Sequence, residues 1–199
     1  MRGAMKPPPN PSIRRGAEAK HISYPRTSAP SRPRNNKLLN MKTIEIKQEV
    51  RFCQMEELNE AEQRLVRKAM QATDNSYSPY SHFRVGAAIR LEDGSEIIGA
   101  NQENAAFPVT LCAERTAIFA AQAQHPELSI EAIAIAARND KGFTEDPVSP
   151  CGSCRQVILE IEQRYGKPMK IYLYGTKGVY VIDTIRDLLP LCFVEESMR

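Results

Sequence analysis

Residues 83–101 read FRVGAAIRLEDGSEIIGAN, in which two largely apolar runs flank the pair Asp93-Gly94. Apolar runs of this length between turn-forming residues are typical of β-strands. An Asp-Gly pair readily adopts the positive φ angles that a two-residue hairpin turn requires. The stretch therefore predicts two antiparallel strands joined by a tight turn.

The sequence on both sides of this hairpin alternates between helical and strand patterns. Upstream, the positions spaced as on one helix face are Leu58, Ala61, Leu65, Ala69 and Met70. Downstream, the patterns predict a helix near 112–124, a strand at 129–137, a helix near 151–165, strands at 169–175 and 179–183, and a last short helix at 184–189. Strands separated by helices indicate an α/β layered sheet, and the opening hairpin makes that sheet mixed rather than wholly parallel.

Charge is divided unevenly along the 199 residues, although the formal net charge is only +3. Residues 1–42 hold ten Lys and Arg against one acidic residue, whereas residues 43–199 hold 17 against 23. Residues 1–40 are also rich in Pro, Arg, Ser and Asn without helical or strand periodicity, so we expect a disordered basic extension there. One folded domain is expected at residues 41–199, and its acidic balance argues against nucleic-acid binding.

Two other interpretations of the extension stay open. Its shortage of acids and its Arg and Ser are typical of an organelle transit peptide, although its prolines prevent a long amphipathic helix. Alternatively, Met41 is the biological start of the chain. Because no apolar stretch reaches the roughly 18 residues of a membrane span and no secretory signal is evident, we expect a soluble, cytoplasmic protein.

The five cysteines, an odd number, favour thiols or metal ligands over a disulfide framework. Cys151 and Cys154 lie at the start of a predicted helix that Pro150 is expected to open. Unpaired backbone N–H groups and the helix dipole lower thiol pKa values at such a position. Cys112 starts another predicted helix, and two such helices on one face of a sheet can bring three thiolates to one point. Three cysteine ligands would leave the fourth position of a zinc ion open, as catalysis requires.

Glu114 follows Cys112 by two residues, at a helix start where a thiolate and a carboxylate can flank one cavity. The carboxylate could then carry a proton from zinc-bound water to a substrate. The Cys-x-x-Cys pair is also compatible with a redox pair or half of a structural zinc site. A redox pair leaves Cys112 and Glu114 unexplained, and a closed zinc site would need Cys53 or Cys192, which have no partner at ligand spacing.

Five motifs run in order along residues 77–193. They are YSPYSHFRVGAA (77–88), NQENAAFP (101–108), CAERTAI (112–118), SPCGSCRQV (149–157) and LLPLCF (188–193). Together they make the sequence resemble the small, homotetrameric zinc-dependent cytidine deaminases. Zinc deaminases more widely carry a His at the position of Cys112, and a Cys is typical of the tetrameric branch. The resemblance implies a three-layer α-β-α fold with a mixed five-stranded sheet, and one zinc ion per subunit held by Cys112, Cys151 and Cys154.

The resemblance also implies the reaction, which is hydrolytic deamination of cytidine and deoxycytidine to uridine and deoxyuridine in pyrimidine salvage. Zinc-bound hydroxide would attack C4 of the cytosine ring, while Glu114 protonates N3 and assists the departure of ammonia. Three thiolates leave the zinc site negatively charged overall, which would make its bound water less acidic. Arg115 matches the family arginine that hydrogen-bonds the cysteine sulfurs and draws charge from the metal.

Further residues take roles by the same resemblance. The positions that match substrate contacts are Phe83, Asn101, Gln102, Glu103, Ala113 and Ser149. Asn101 and Glu103 would bind the ribose hydroxyls, and backbone groups of Ala113 and Ser149 the pyrimidine edge. Phe107 and Phe193 match aromatic residues that a neighbouring subunit contributes, so we expect a homotetramer with shared active sites.

Three other functions stay open at this point. Deaminases of related cytosine nucleosides, such as the blasticidin-type antibiotic deaminases, share the cysteine motifs. The Asn101 and Glu103 pair and the LLPLCF ending favour cytidine and deoxycytidine over these. A non-catalytic zinc module and a polynucleotide editor that uses the basic extension are the remaining alternatives.

Overall fold

The computed structural model describes residues 42–199, of which Glu45–Arg199 form one compact unit. The extension predicted at residues 1–40 and the alternative start at Met41 lie outside the described residues. The strands are β1 Arg51–Cys53, β2 Arg84–Leu91, β3 Glu96–Ala100, β4 Ile130–Asn139, β5 Gly142–Phe143, β6 Lys170–Gly175 and β7 Gly178–Ile182. The α-helices are α1 Glu60–Ala72, α2 Ala113–Gln124 and α3 Gly152–Tyr165. None of the helices within residues 42–199 has the length and apolar character needed to pass through a lipid bilayer.

The strands form one mixed sheet in the order β1-β7-β6-β4-β2-β3, with β5 paired to the end of β4. Among the described strands only β4 and β6 run parallel. All five predicted strands are present, as β2, β3, β4, β6 and β7. The expected total of five is wrong, because β1 and β5 add strands of three and two residues. Segments this short have too few alternating positions to be recognised from residue pattern.

Helices cover both faces of the sheet, which confirms the three-layer α-β-α architecture. α1 buries Leu65 and Ala69 against one face, and α2 and α3 bury Ile118 and Ile158 against the other. Successive strand residues point to opposite faces of a sheet. The nearly continuous apolar run of β4 therefore supplies both layers of the core.

The hairpin of β2 and β3 is confirmed, but its turn is longer than expected. The Gly94 N–H donates to the Leu91 carbonyl at 2.9 Å, so Glu92, Asp93 and Gly94 form a three-residue loop. Gly94 alone among these has a positive φ, of 84°. This is the pattern of a type I turn closed by a glycine bulge, which needs only one residue in the left-handed region.

In the carboxyl-terminal segment, residues 184–193, a 3-10 turn takes the place of the last predicted helix. This turn, Ile185–Asp187, begins after Thr184, whose side chain accepts from a backbone N–H of the turn. The buried carboxylate of Glu162 in α3 accepts from the Thr184 hydroxyl at 2.8 Å and from the Ile185 N–H at 3.0 Å. The predicted helix has only six residues, which is too few for a stable α-helix. It also cannot continue through Pro190, which has no N–H to donate. The segment is instead attached to α3 by side-chain hydrogen bonds.

Gly99 in β3 allows α2 to lie directly on the sheet. A Cβ atom at this position would come within 2.4 Å of both the Ala113 carbonyl oxygen and the Ala117 nitrogen. Both are backbone atoms, so they could move only if the first turn of α2 moved with them. The missing side chain therefore determines how closely the start of α2 approaches the sheet.

Gly99→Ala is expected to destabilise the fold by about 1–3 kcal/mol, because the backbone of α2 must shift to admit one methyl group. Urea unfolding followed by circular dichroism measures the change. Gly152→Ala is the matched control, since a Cβ atom there meets no heavy atom within 4 Å, and it should retain or slightly raise the stability. A Gly99→Ala protein as stable as this control would contradict the close approach.

Candidate metal centre and active site

Two helices, α2 and α3, each begin at a cysteine. Cys112 is the N-cap of α2 and Cys151 the N-cap of α3, both with extended backbone, and Cys154 lies in the first turn of α3. Pro150 precedes the N-cap and so does not open the helix as expected. The Cys112 and Cys151 sulfur atoms are 3.8 Å apart and those of Cys151 and Cys154 are 3.5 Å apart. All three sulfurs lie within 4.8 Å of one another, and no other cluster of potential metal ligands occurs within residues 42–199.

The surroundings of these sulfurs favour a thiolate. The pKa of the Cys112 thiol is lowered to about 5, first by a hydrogen bond from Cys154 and then by hydrogen bonds from Arg115 and Cys151. The pKa of the Cys154 thiol is raised by its hydrogen bond to Cys112 and by burial. These opposite shifts favour the thiolate form at Cys112 and the thiol form at Cys154. A divalent cation that binds the sulfurs requires them as thiolates and so displaces protons.

Arg115 follows Cys112 by one helical turn and reaches back to the sulfur cluster. Its Nη2 donates to the Cys112 Sγ at 3.5 Å. Its Nε is buried and has no hydrogen-bond partner within the described residues. A guanidinium does not lose its proton in a protein, so Arg115 holds a fixed positive charge beside the thiolate.

Glu114 is a buried carboxyl group next to the same cluster. The residue is only 4% exposed, and the pKa of its carboxyl is raised, chiefly by burial and further by the nearby Cys112 thiolate. A carboxyl group held in this way takes up a proton more readily than an exposed one. This is the property required of a side chain that transfers protons near neutral pH.

A cavity of about 320 Å³ lies against the cysteine cluster and Glu114. The predicted substrate residues that line it are Phe83, Asn101, Glu103, Ala113 and Ser149. Gln102 does not line it, because its side-chain amide donates to the Asn75 carbonyl at 3.2 Å. No Lys or Arg side chain from residues 42–199 lines the cavity. Its size and charge suit a small molecule without a phosphate group.

Asn101 and Glu103 also hold one wall of the cavity in place. The Asn101 Nδ2 donates to the Phe83 carbonyl at 2.9 Å. Glu103 accepts hydrogen bonds from the hydroxyl of Ser81 and, at 3.2 Å, from its N–H. These bonds lower the pKa of the Glu103 carboxyl, so it stays ionised. A carboxylate has about four acceptor sites, so Glu103 can also accept a hydroxyl group from a ligand.

Several lining residues were missed by the sequence analysis. They are Ser81, Val85, Thr110, Leu111, Ile135 and Val148. Ser81 lies within the motif at 77–88, and its hydroxyl was the available signal. The aliphatic residues cannot be distinguished by type from ordinary core residues, so only the fold assigns them to the cavity.

Phe107 and Phe193 do not line the cavity of their own chain. Phe107 is 69% exposed and Phe193 is 59% exposed. The Phe107 ring packs edge to face on Tyr80, with the ring centroids 5.8 Å apart. Both rings therefore lie mostly at the surface of the described residues.

Comparison with known proteins assigns the chain to a family. The model of the cytidine and deoxycytidylate deaminase zinc-binding region matches residues 59–165, more than half of the chain. The chain belongs to this family. A cytidine deaminase from Halalkalibacterium halodurans is 44% identical over 137 residues, which is 69% of this chain and 97% of that relative. The crystal structure of the cytidine deaminase from Burkholderia pseudomallei matches with a TM-score of 0.57 at 38% identity, covering 65% of this chain and 97% of that one.

The cysteine cluster fits the zinc ion of the deaminase family. Zinc takes thiolate ligands in a tetrahedral arrangement, and a site with three protein ligands keeps one position open. Here three sulfurs lie within 4.8 Å of one another, and two helix N-termini with Arg115 offset their negative charge. Cys112, Cys151 and Cys154 are therefore positioned to hold the metal.

Arg115→Gln is expected to preserve the fold but to weaken zinc retention by about 10- to 100-fold, because side chains that support metal ligands typically contribute this much. Zinc content after dialysis against increasing chelator measures the effect, and circular dichroism checks the fold. Arg67→Gln is the matched control, because Arg67 is an exposed helix arginine that bonds only to Gln63 among the described residues. Zinc retention equal to that of the control would remove this role from Arg115.

Proposed function

We propose that the chain is a zinc-dependent hydrolase that deaminates cytidine and deoxycytidine to uridine and deoxyuridine, within cytoplasmic pyrimidine salvage. The observation that carries the proposal is the position of Glu114, a buried carboxyl on the wall of the cavity that Cys112 and Cys151 also line. Hydrolysis of a C–N bond needs an activated water and a proton carrier at one point. These side chains can supply both.

Each group at the site then has a distinct task. Zinc, when bound by the three cysteines, lowers the pKa of a coordinated water and so makes a nucleophile available near neutral pH. The Glu114 carboxylate would take one proton from the attacking water and deliver it to N3 of the cytosine ring while the water oxygen bonds to C4. It would then take the second proton from the new C4 hydroxyl group and deliver it to the amino group, which leaves as ammonia as the C4 carbonyl forms. The raised pKa of Glu114 suits both the uptake and the release of a proton.

Residues around Glu114 would orient the nucleoside. Ala113 and Ser149 line the cavity, and their backbone groups could hydrogen-bond the pyrimidine edge. Phe83 offers a flat apolar face to the ring or the sugar. Asn101 and Glu103 could bind the ribose hydroxyls, since a carboxylate accepts from a hydroxyl group. Glu103 and Glu114 line the cavity and no Lys or Arg from residues 42–199 does. This charge disfavours the binding of a 5′-phosphate.

The substrate is tested by a spectrophotometric assay with cytidine, deoxycytidine, CMP and a single-stranded oligonucleotide. Only the two nucleosides are expected to be deaminated, because no cation among the lining residues would hold a phosphate. Glu114→Gln is the control variant, as it keeps the shape but cannot transfer the proton. Its kcat should fall by about 10²- to 10⁴-fold with zinc still bound.

Two outcomes of this assay would contradict the proposal. Deamination of the oligonucleotide without activity on free nucleosides would indicate a polynucleotide editor. Near-normal activity of zinc-loaded Glu114→Gln would show that another group carries the proton.

We further propose that residues 41–199 form the catalytic domain and that four copies assemble with shared active sites. The support is the exposure of Phe107 and Phe193, which leaves two aromatic rings of the family motifs outside the cavity of their own chain. Sedimentation of the purified protein is expected to give a tetramer. A fully active monomer would contradict shared sites.

A further inference from the structure

Arg155 in α3 has a position that the proposed mechanism does not explain. It follows Cys154 directly and is half-buried in the first turns of the helix. A cation is unfavourable at the amino-terminal end of a helix, where the dipole is already positive. Within residues 42–199, no carboxylate forms an ion pair with Arg155.

The Arg155 guanidinium instead joins two backbone carbonyl groups from different parts of the chain. Its Nε donates to the Pro150 carbonyl at 2.9 Å. Its Nη1 donates to the Leu188 carbonyl at 2.7 Å. Hydrogen bonds with a charged donor are shorter and stronger than neutral ones, and the planar fork of Arg fixes two acceptors at once.

The first of these carbonyls belongs to the peptide that leads into a metal ligand. Pro150 is followed by Cys151, and Ser149 and Cys151 both line the cavity. The bond to Pro150 therefore restrains the ligand turn, which we define as residues 149–151. It also brings a positive charge next to the peptide that carries a thiolate ligand.

The second carbonyl belongs to the carboxyl-terminal segment, defined as residues 184–193, which runs back along α3. Glu162 holds its start through Thr184, and Arg155 holds its middle at Leu188. The next residue of α3, Gln156, holds its end, since its Nε2 donates to the Phe193 carbonyl at 2.9 Å. Two neighbouring residues of α3, Arg155 and Gln156, thus hold both the ligand turn and the backbone of Phe193.

We propose that Arg155 is a positioning residue that joins the ligand turn to the carboxyl-terminal segment, so that zinc retention and nucleoside binding both depend on one side chain. The inference rests on the proposed function, in which Cys151 binds zinc and Phe193 completes a site in a neighbouring subunit. Within residues 42–199, Arg155 forms no hydrogen bond to a cysteine sulfur and does not line the cavity. It acts through the two carbonyls it holds.

Gln156→Ala separates the restraint on the ligand turn from the restraint on Phe193. It removes the bond to Phe193 and leaves both Arg155 bonds in place. Arg155→Ala removes the ligand-turn bond and the Leu188 bond together. Arg155→Lys keeps the charge, but its single ammonium group lacks the planar fork that holds two carbonyls.

The test compares the parent protein with these three variants, all full-length and zinc-loaded. It measures zinc release to a chromogenic chelator and the KM for cytidine. Arg155→Ala is expected to release zinc about 10-fold faster, in the range seen when supports of metal ligands are removed, and to raise KM. Gln156→Ala should raise KM without changing zinc release. Arg155→Lys should fall between Arg155→Ala and the parent protein in zinc release.

Three results would overturn the inference. One is parental zinc release from Arg155→Ala. Another is zinc release from Gln156→Ala that is as fast as from Arg155→Ala, which would indicate general loosening of the carboxyl-terminal segment. If Arg155→Ala does not fold, parental zinc release from a folded Arg155→Lys protein is the third. A parent protein that binds zinc but does not deaminate cytidine contradicts the proposed function instead, and the zinc-release comparison still decides the role of Arg155.

Discussion

Three sulfur atoms within 4.8 Å of one another require the amino-terminal ends of α2 and α3 to meet, and most of the structure follows from this requirement. Thiolates repel one another, so a bound cation, two helix N-termini and a guanidinium are needed to offset their charge. Both helices must lie on the same face of the sheet with their starts at the same edge. α3 meets this condition as the crossover between β4 and β6, the parallel pair of the described sheet.

Polar side chains near the cavity have a structural task besides any contact with a ligand. Asn101 and Glu103 are hydrogen-bonded to the turn that carries Phe83, and Arg155 is bonded to the turn that carries Cys151. Part of the cavity wall, including Ser81, Ser149 and Cys151, lies in loops, which have no ladder of backbone hydrogen bonds to keep their shape. Side-chain bonds from the residues that follow β3 and from α3 supply this restraint, and they keep the cavity formed before a ligand arrives.

Most of the fold could be predicted because its elements are long and strongly patterned. The five predicted strands, the three helices and the two cysteine N-caps all depend on local spacing. Two short strands at the edges were missed, since three and two residues cannot display a period. The turn at 92–94 was mistaken for a two-residue turn, because Asp-Gly is compatible with both and only the strand register decides between them.

The site residues could be predicted where their residue type is rare at such positions, and could not be predicted where the type is common throughout the core. Cysteine and acidic residues at helix starts are unusual enough to indicate a function from one sequence. Ile135 and Val148 line the cavity but are aliphatic like the core. Arg155 could be noticed only in three dimensions, because its two carbonyl partners are 38 residues apart in the chain, at Pro150 and Leu188.

The placement of β4 between the metal ligands has a consequence for how the protein acquires its metal. Cys151 and Cys154 are neighbours in sequence, whereas Cys112 lies 39 residues before Cys151. The strand between them in the chain, β4, is paired with both β2 and β6. Closing so long a loop costs conformational entropy that local contacts do not repay. Cys151 and Cys154 are thus close by sequence alone, whereas Cys112 reaches them only in the folded sheet. Tight retention of one zinc ion by all three sulfurs is therefore a chemical sign that β4 is in place between β2 and β6.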